Sequence, residues 1–326
     1  MTVPASVFQT VRIGAETTKG VEADATRQLS ASEVSVQPQT ETKRYRSSGY
    51  RWNTISALAK DWVKATISGP VTYGEACYWL ESGIRIAAPS GTTAFTRVYD
   101  MLTTAANTTR SYTVELGSAE RAWLFTNGQV DSIGMRFTRD SVEWSNTTMI
   151  GAALQDGITL TASPTEVVNT PVLPTEVGIR LASTQAALGA ASPLTDWISA
   201  EWSVSGIVTP FWSLNGSGGY DETVPAVPSG TVKFTAPANA AGMAELARIR
   251  SGATRFARIS SVGTVIGAGP ATFALTCDLA LKFTAIDDLR DENGAFAVSY
   301  SAEITHDPTW GRGISITVVN DVSSLF

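Results

Sequence analysis

The chain has 326 residues, with 24 Lys plus Arg against 30 Asp plus Glu, a net charge near −6, one His and two Cys. His306 is alone, and Cys77 and Cys277 stand 277 − 77 = 200 residues apart, so no Cys/His cluster with zinc spacing can be written. With 43 % apolar and 17 % charged residues the composition is that of a folded chain, long enough for one large domain or two ordinary ones. Its mild acidity argues against a broad basic face that grips DNA phosphates.

Residues 1–20 hold no apolar run of about seven residues, the core of a secretory signal. No window approaches the roughly 18 apolar residues that span a bilayer. The expectation is synthesis and assembly in a reducing cytoplasm without a membrane partner. Cys77 and Cys277 then remain unpaired thiols in the core, and the sequons at Asn107, Asn146 and Asn215 are chance matches.

Taken in chain order, residues 1–30 read as an N-terminal arm. A strand follows at Glu33, Val34, Ser35, Val36, then a long charged loop over 39–61 and a second strand with Val63, Lys64, Ala65, Thr66. A helix is expected over 72–82, with Ala76, Tyr78, Trp79 and Leu80 ahead of Gly83 as its C-terminal cap. Alternating strands come next at 112–116 and 130–138. Residues 155–195, punctuated by Pro164, Pro171, Pro174 and Pro193, read as a linker holding a strand or short helix near 179–188. The second part repeats the series: a strand over 201–208, a loop over 209–230, a helix over 240–251 ahead of Gly252, then strands at 276–284, 296–305 and 314–319. Residues 320–326 read as a tail. The whole is mainly β.

An internal repeat underlies this order. At an offset of 232 − 63 = 169 residues, Val63, Lys64, Ala65, Thr66 meet Val232, Lys233, Phe234, Thr235, and Leu80, Glu81, Ser82, Gly83 meet Ile249, Arg250, Ser251, Gly252. At 201 − 33 = 168, Glu33, Val34, Ser35, Val36 meet Glu201, Trp202, Ser203, Val204. At 281 − 135 = 146, Met135, Arg136, Phe137, Thr138 meet Leu281, Lys282, Phe283, Thr284, which requires a shorter connection in the second half. The pattern predicts two tandem β-sandwich or barrel modules with a flanking helix each, at 31–154 and 196–319.

No catalytic constellation emerges. His306 sits in a turn, Thr305, His306, Asp307, Pro308, with no nucleophile motif beside it. Asp287, Asp288, Asp291 and Glu292 cluster around a hairpin tip at Asn293 and Gly294, where acids are usually solvated. Gly263, Gly267 and Gly269 do not follow a strand and open a helix as a phosphate loop does. The expectation is a non-enzyme without cofactor or metal.

Two loops carry more. The first interleaves Lys43, Arg44, Arg46 and Arg51 with Tyr45, Tyr50 and Trp52, a mixture able to stack on bases or to dock on an acidic protein surface; the net −6 favours the second. The matching loop carries Phe211, Trp212, Tyr220, Asp221 and Glu222. Aromatic residues on long loops point to protein contacts, so both sets are expected where subunits meet, the basic loop against an acidic surface of a neighbouring copy.

The opening Gly14, Ala15, Glu16, Thr17, Thr18, Lys19, Gly20 resembles the start of many tail tube proteins of long-tailed phages. Tyr112, Thr113, Val114, Glu115, Leu116 with Val130, Asp131, Ser132, Ile133 is similar to a central passage of that family, and 314–320 is similar to its V-x-V-x-N ending. The resemblance implies β modules assembling into stacked rings around a channel that carries DNA, in a virion tail. In duplicated members the halves are similar to two fused subunits, so a homotrimer would make a pseudo-sixfold ring, with a homohexamer as the alternative. It also implies tape measure, distal tail or terminator proteins as partners, and DNA that passes without specific binding. Closing sheets into one barrel would remove their sticky edges. Candidate channel-facing residues are Asp131, Arg136, Asp278 and Lys282. The alternatives are another tail component (distal tail, terminator or adhesion module) and, disfavoured by the missing constellation, a carbohydrate-active or other enzyme.

Overall fold

The computed structural model describes residues 8–214, 218–243, 245–292 and 294–326. Asn215 of the third sequon, Ala244 within the second expected helix, Asn293 of the acidic turn and residues 1–7 of the expected arm lie outside the described residues.

The chain is mainly β. Its first half comprises β1 (Thr10–Ala15), β2 (Arg27–Leu29), β3 (Glu33–Tyr45), β4 (Ile55–Ser68), α1 (Glu75–Gly83), β5 (Phe95–Asp100), β6 (Tyr112–Gly117), β7 (Ala122–Phe137), β8 (Val142–Trp144), β9 (Thr147–Gly151), β10 (Gln155–Ile158) and β11 (Thr165–Glu166). The second comprises β12 (Val177–Ala182), β13 (Ser199–Ser205), β14 (Val208–Phe211), β15 (Glu222–Pro225), β16 (Ser229–Pro237), α2 (Ala240–Met243), α3 (Leu246–Ser251), β17 (Arg255–Val265), β18 (Thr272–Ile286), β19 (Arg290–Glu292), β20 (Ala295–Ile304) and β21 (Ile314–Asn320).

The antiparallel pairings run β3, β4, β9, β7, β6, β1 in the first half. They run β13, β16, β20, β18, β17, β12 in the second. The order is the same in both. β7 and β18 are long because each changes partners along its length: the start of β7 pairs with β6 and β10 and its end with β8, β9 and β13, while the start of β18 pairs with β17 and β21 and its end with β20. One long sheet therefore runs through both halves as β3, β4, β9, β7, β13, β16, β20, β18. Alternation sets its faces. On β13, Ala200, Trp202 and Val204 are buried while Glu201, Ser203 and Ser205 are not.

Helix α1 is buried at all nine positions. Its polar side chains are satisfied: Glu75 accepts the backbone N–H groups of Ser30, Ala31 and Ser32 at 2.8 to 2.9 Å, Glu81 pairs with Arg110 at 2.7 Å, and Ser82 accepts Val130 N–H at 3.0 Å. One apolar cluster built on Trp79, Tyr73 and Leu80 extends to Trp202 and Phe234 of the second half.

Several expectations are corrected. Residues 8–30 are no arm, since β1 pairs with β6 and β2 with β1. The proposed linker contains β10 and β11, which belong to the first half's pairings, and β12, which pairs with β17. Gly83 lies inside α1 rather than capping it, and the helix expected over 240–251 is two short pieces. The strand expected over 201–208 breaks at Gly206, whose φ of +67° suits glycine. The 146-residue offset also fails. Ala65 pairs with Met149 and Phe234 with Tyr300, and the partners of those two on β7 and β18 are Val130 and Ile286. By pairing register the offset here is 286 − 130 = 156, which places Met135 opposite Trp144 as Asp291 is opposite Phe296, and not in register with Leu281.

Candidate assembly surfaces

The two sequence motifs at the chain's ends are buried hydrogen-bond hubs. Glu16 accepts from Gly20 N–H (2.8 Å), Ser111 Oγ (2.7 Å), Thr113 Oγ1 (3.2 Å) and Asn127 N–H (2.7 Å), tying the first loop to β6 and β7. Asn320 accepts from Arg97 (3.1 Å) and Val322 N–H (3.1 Å) and donates to Tyr73 O (3.0 Å). The expected tail continues from this hub onto the first half. Tyr78 donates to Leu325 O at 2.9 Å, and the Phe326 ring lies 5.4 and 5.8 Å from the rings of Tyr78 and Tyr112. Burial pushes the Tyr78 hydroxyl up to about 12. Cys77 and Cys277 are buried and unpaired, and burial pushes both thiols up. Inert core thiols behave so.

The halves join twice. β13 pairs with the end of β7 over Ala200↔Phe137 to Ser205↔Ser132, and β21 pairs with β5 over Ser315↔Asp100 to Asn320↔Phe95. At this closed junction Ile133, Met135 and Trp144 are buried, Trp144 being 6 % exposed. The corresponding places elsewhere are open. Among the described residues β3, which holds the place of β13 in the first half's pairing order, pairs only with β4. By the order and register of the pairings, Asp291↔Phe296 in the second half takes the place of Met135↔Trp144 in the first, and Leu289 that of Ile133. There Phe296 is 74 % exposed and Leu289 58 %. Between α3 and β17 only residues 252–254 stand where the first half has β5.

The two long hairpins also differ. β3 and β4 continue as one ladder from Glu33↔Ser68 to Tyr45↔Ile55, carrying Tyr45, Tyr50, Trp52, Ile55 and Leu58 exposed, Trp52 at 77 %. Lys43 and Lys60 pair with Glu41, and Arg51 lies over the Trp52 ring at 5.9 Å. The Lys43 ammonium, hydrogen-bonded to Glu41, holds that carboxyl below the usual range. Arg44 and Arg46 extend this basic end. The β14–β15 hairpin instead folds back on the first half. Tyr220 donates to Asn127 O at 2.8 Å, Thr223 bonds Gln129, and Lys19 reaches Thr223 at 3.4 Å. Trp212 packs edge-on to Trp62 at 5.9 Å, Lys60 lies 4.1 Å from its ring centre, and Asp61 N–H bonds Gly218 O at 2.7 Å. The tip of the second loop thus meets the base of the first within one chain. Tyr220 is buried, a correction to its expected place on an exposed contact surface, and burial pushes its hydroxyl up. Phe211, Asp221 and Glu222 remain exposed.

Across the antiparallel pairings, the arm tip lies at one end of the long sheet; the turn at 138–141, Ser199 and residues 287–295 lie at the other. That second end exposes Asp140, Asp196, Asp287, Asp288 and Asp291. A groove of about 410 Å³ opens there, lined in part by Phe137, Pro174, Val177, Leu194 and Trp197.

Arg136 and Lys282 are exposed on the polar face of the long sheet, and half-buried Asp131, bonded by Thr148 Oγ1, sits at a bulge beside it. Asp278 is a correction. It is buried against Arg258, with bonds of 2.6 and 2.7 Å, and takes a third from Gln185 at 3.3 Å. Sequence reading missed Glu201, Glu303 and Lys233 on the polar face, although their alternation with Trp202, Ala302 and Phe234 was the available signal.

Among the described residues no group of three His, Cys, Asp or Glu is placed to hold a metal, and no helix is long and apolar enough to cross a membrane. No family model matches the chain, and no curated protein matches it.

Proposed function

We propose that this chain is a structural virion protein that joins head to tail into rings and stacks them as the tail tube of a long-tailed phage, a conduit for DNA. The observation that carries this reading is the pair of open, complementary edges. The unpaired edge of β3 is the counterpart of β13, and the strand end over 287–292, with Leu289 and Phe296 exposed, is the counterpart of the surface that β13 covers. Repeating the closed junction between copies would pair β3 of one chain with residues 287–292 of the next and bury both apolar side chains. A heterologous contact of this kind closes into a ring when its rotation allows. Three chains would supply six equivalent halves. The internal duplication that this reading assumes is supported by the shared pairing order.

Axial stacking is supported by charge. The arm with Lys43, Arg44, Arg46 and Arg51 stands opposite the end bearing Asp140, Asp196, Asp287, Asp288 and Asp291, and the groove beside Trp197 would receive the arm's aromatic residues. Electron microscopy of the purified, concentrated protein tests the proposal. Tubes with a regular axial period are expected. Isolated rings would favour a neighbouring tail component, and a protein that stays monomeric would overturn the reading.

A further inference from the structure

From β8 to β18 the polar face of the long sheet carries its charges in a definite order, outside which stands Lys64 on β4, opposite Gln37 and Ile150. Residues directly opposite across antiparallel strands share a face and touch. One such row reads Glu143, Arg136, Glu201, Lys233 across β8, β7, β13 and β16. In the next row Glu303 on β20 stands opposite Lys282 on β18. Lys233 also lies 3.5 Å from Asp287. Each of these three cations thus has a carboxylate directly across the ladder. Glu201 is the centre of the arrangement, with Arg136 on one side and Lys233 on the other, and Ser145 Oγ donates to its carboxylate.

With strands about 4.8 Å apart, Arg136, Lys233 and Lys282, each two strands from the next, form a track with a step on the order of 10 Å. Such a track, left to itself, is a phosphate-binding stripe. We propose that Glu143, Glu201 and Glu303 are built-in counterions that keep Arg136, Lys233 and Lys282 from holding a polyanion, so that duplex DNA crosses this face without lodging on it. The inference rests on the reading that the face lines the channel. Its chemistry belongs to the single chain, where the face is exposed.

The test therefore uses the full, unpolymerised chain and a short fluorescent DNA duplex, followed by anisotropy from low to moderate salt. The wild type is expected not to bind. The variant E143Q/E201Q/E303Q should bind, with a log–log salt slope of about −2.7, three cations at about 0.9 each. Adding R136Q, K233Q and K282Q to it should return binding to the wild-type level. Glu201→Gln alone should shift affinity in the same direction and serves if the triple variant does not fold by circular dichroism. A folded triple or single variant with no gain, or a wild type that binds as tightly as the triple, overturns the proposal. Gain of binding in a protein that never forms tubes would leave the counterion ladder standing and remove the tube.

Discussion

β13 and β3 carry nearly the same four residues, Glu201, Trp202, Ser203, Val204 against Glu33, Val34, Ser35, Val36, and are paired differently. β13 is paired on both edges, by β16 and by β7; among the described residues β3 is paired on one. The surface next to β13 is closed over Ile133, Met135 and Trp144, whereas its counterpart leaves Leu289 and Phe296 in solvent. An open strand edge is a template for another chain. The difference teaches that the closed junction is a pattern of which the molecule shows one copy, with the parts for a second at its two extremities. The closed junction also has the β5–β21 pairing and the Phe326 clasp, which residues 252–254 are too short to reproduce, so contacts between chains should yield before those within one.

The largest effect should come from breaking the closed side. Trp202→Ala removes a fully buried side chain at the β7–β13 seam and should cost about 3–5 kcal/mol, read as a lower midpoint in urea unfolding. An unchanged midpoint would mean that the seam is not part of the cooperative fold. On the open side, L289D/F296D should abolish ring and tube formation while circular dichroism and the unfolding midpoint stay near wild type, because both positions are exposed in the single chain. Assembly that survives this double change would place the contact elsewhere. Phe326→Ala should lower stability by about 0.5–1.5 kcal/mol through its lost aromatic contacts, and it should leave assembly intact. The smallest change per contact is R44E/R46E. Each exposed pair is worth about 0–1 kcal/mol, yet repetition around a ring should convert this into rings that no longer stack, visible by sedimentation.

Much of the fold was legible because period-two burial writes itself into sequence. Val34, Val114, Ile133, Trp202 and Ile316 all mark strands that the structure contains. What was not legible depends on which partner a strand finds. Asp278 and Lys282 sit on one strand at even spacing, yet β18 changes partners between them, from β17 and β21 at Asp278 to β20 at Lys282, and its residues 277–281 are buried on both faces, so spacing alone does not say which of the two is exposed. The two hairpins diverge for a local reason. Gly206 bends the chain after β13, while Pro38 stands at the corresponding place in β3, where the strand runs on and no partner beyond the edge needs its missing N–H. Glu16 and Asn320 were visible as motif residues, but their roles as hubs depend on groups about 100 to 250 positions away in sequence, such as Asn127 and Tyr73. The charge ladder needed the register of six strands, which no single segment contains.

The central claim is that chains meet head to tail through β3 and residues 287–292, and a cryo-EM reconstruction of the assembled protein addresses it directly. The predicted result is three chains in a pseudo-sixfold ring, with β3 of each chain hydrogen-bonded to residues 287–292 of its neighbour and Phe296 buried between them. A closed assembly in which the outer edge of β3 faces solvent, or a sixfold ring with only one half of each chain lining the channel, would contradict it.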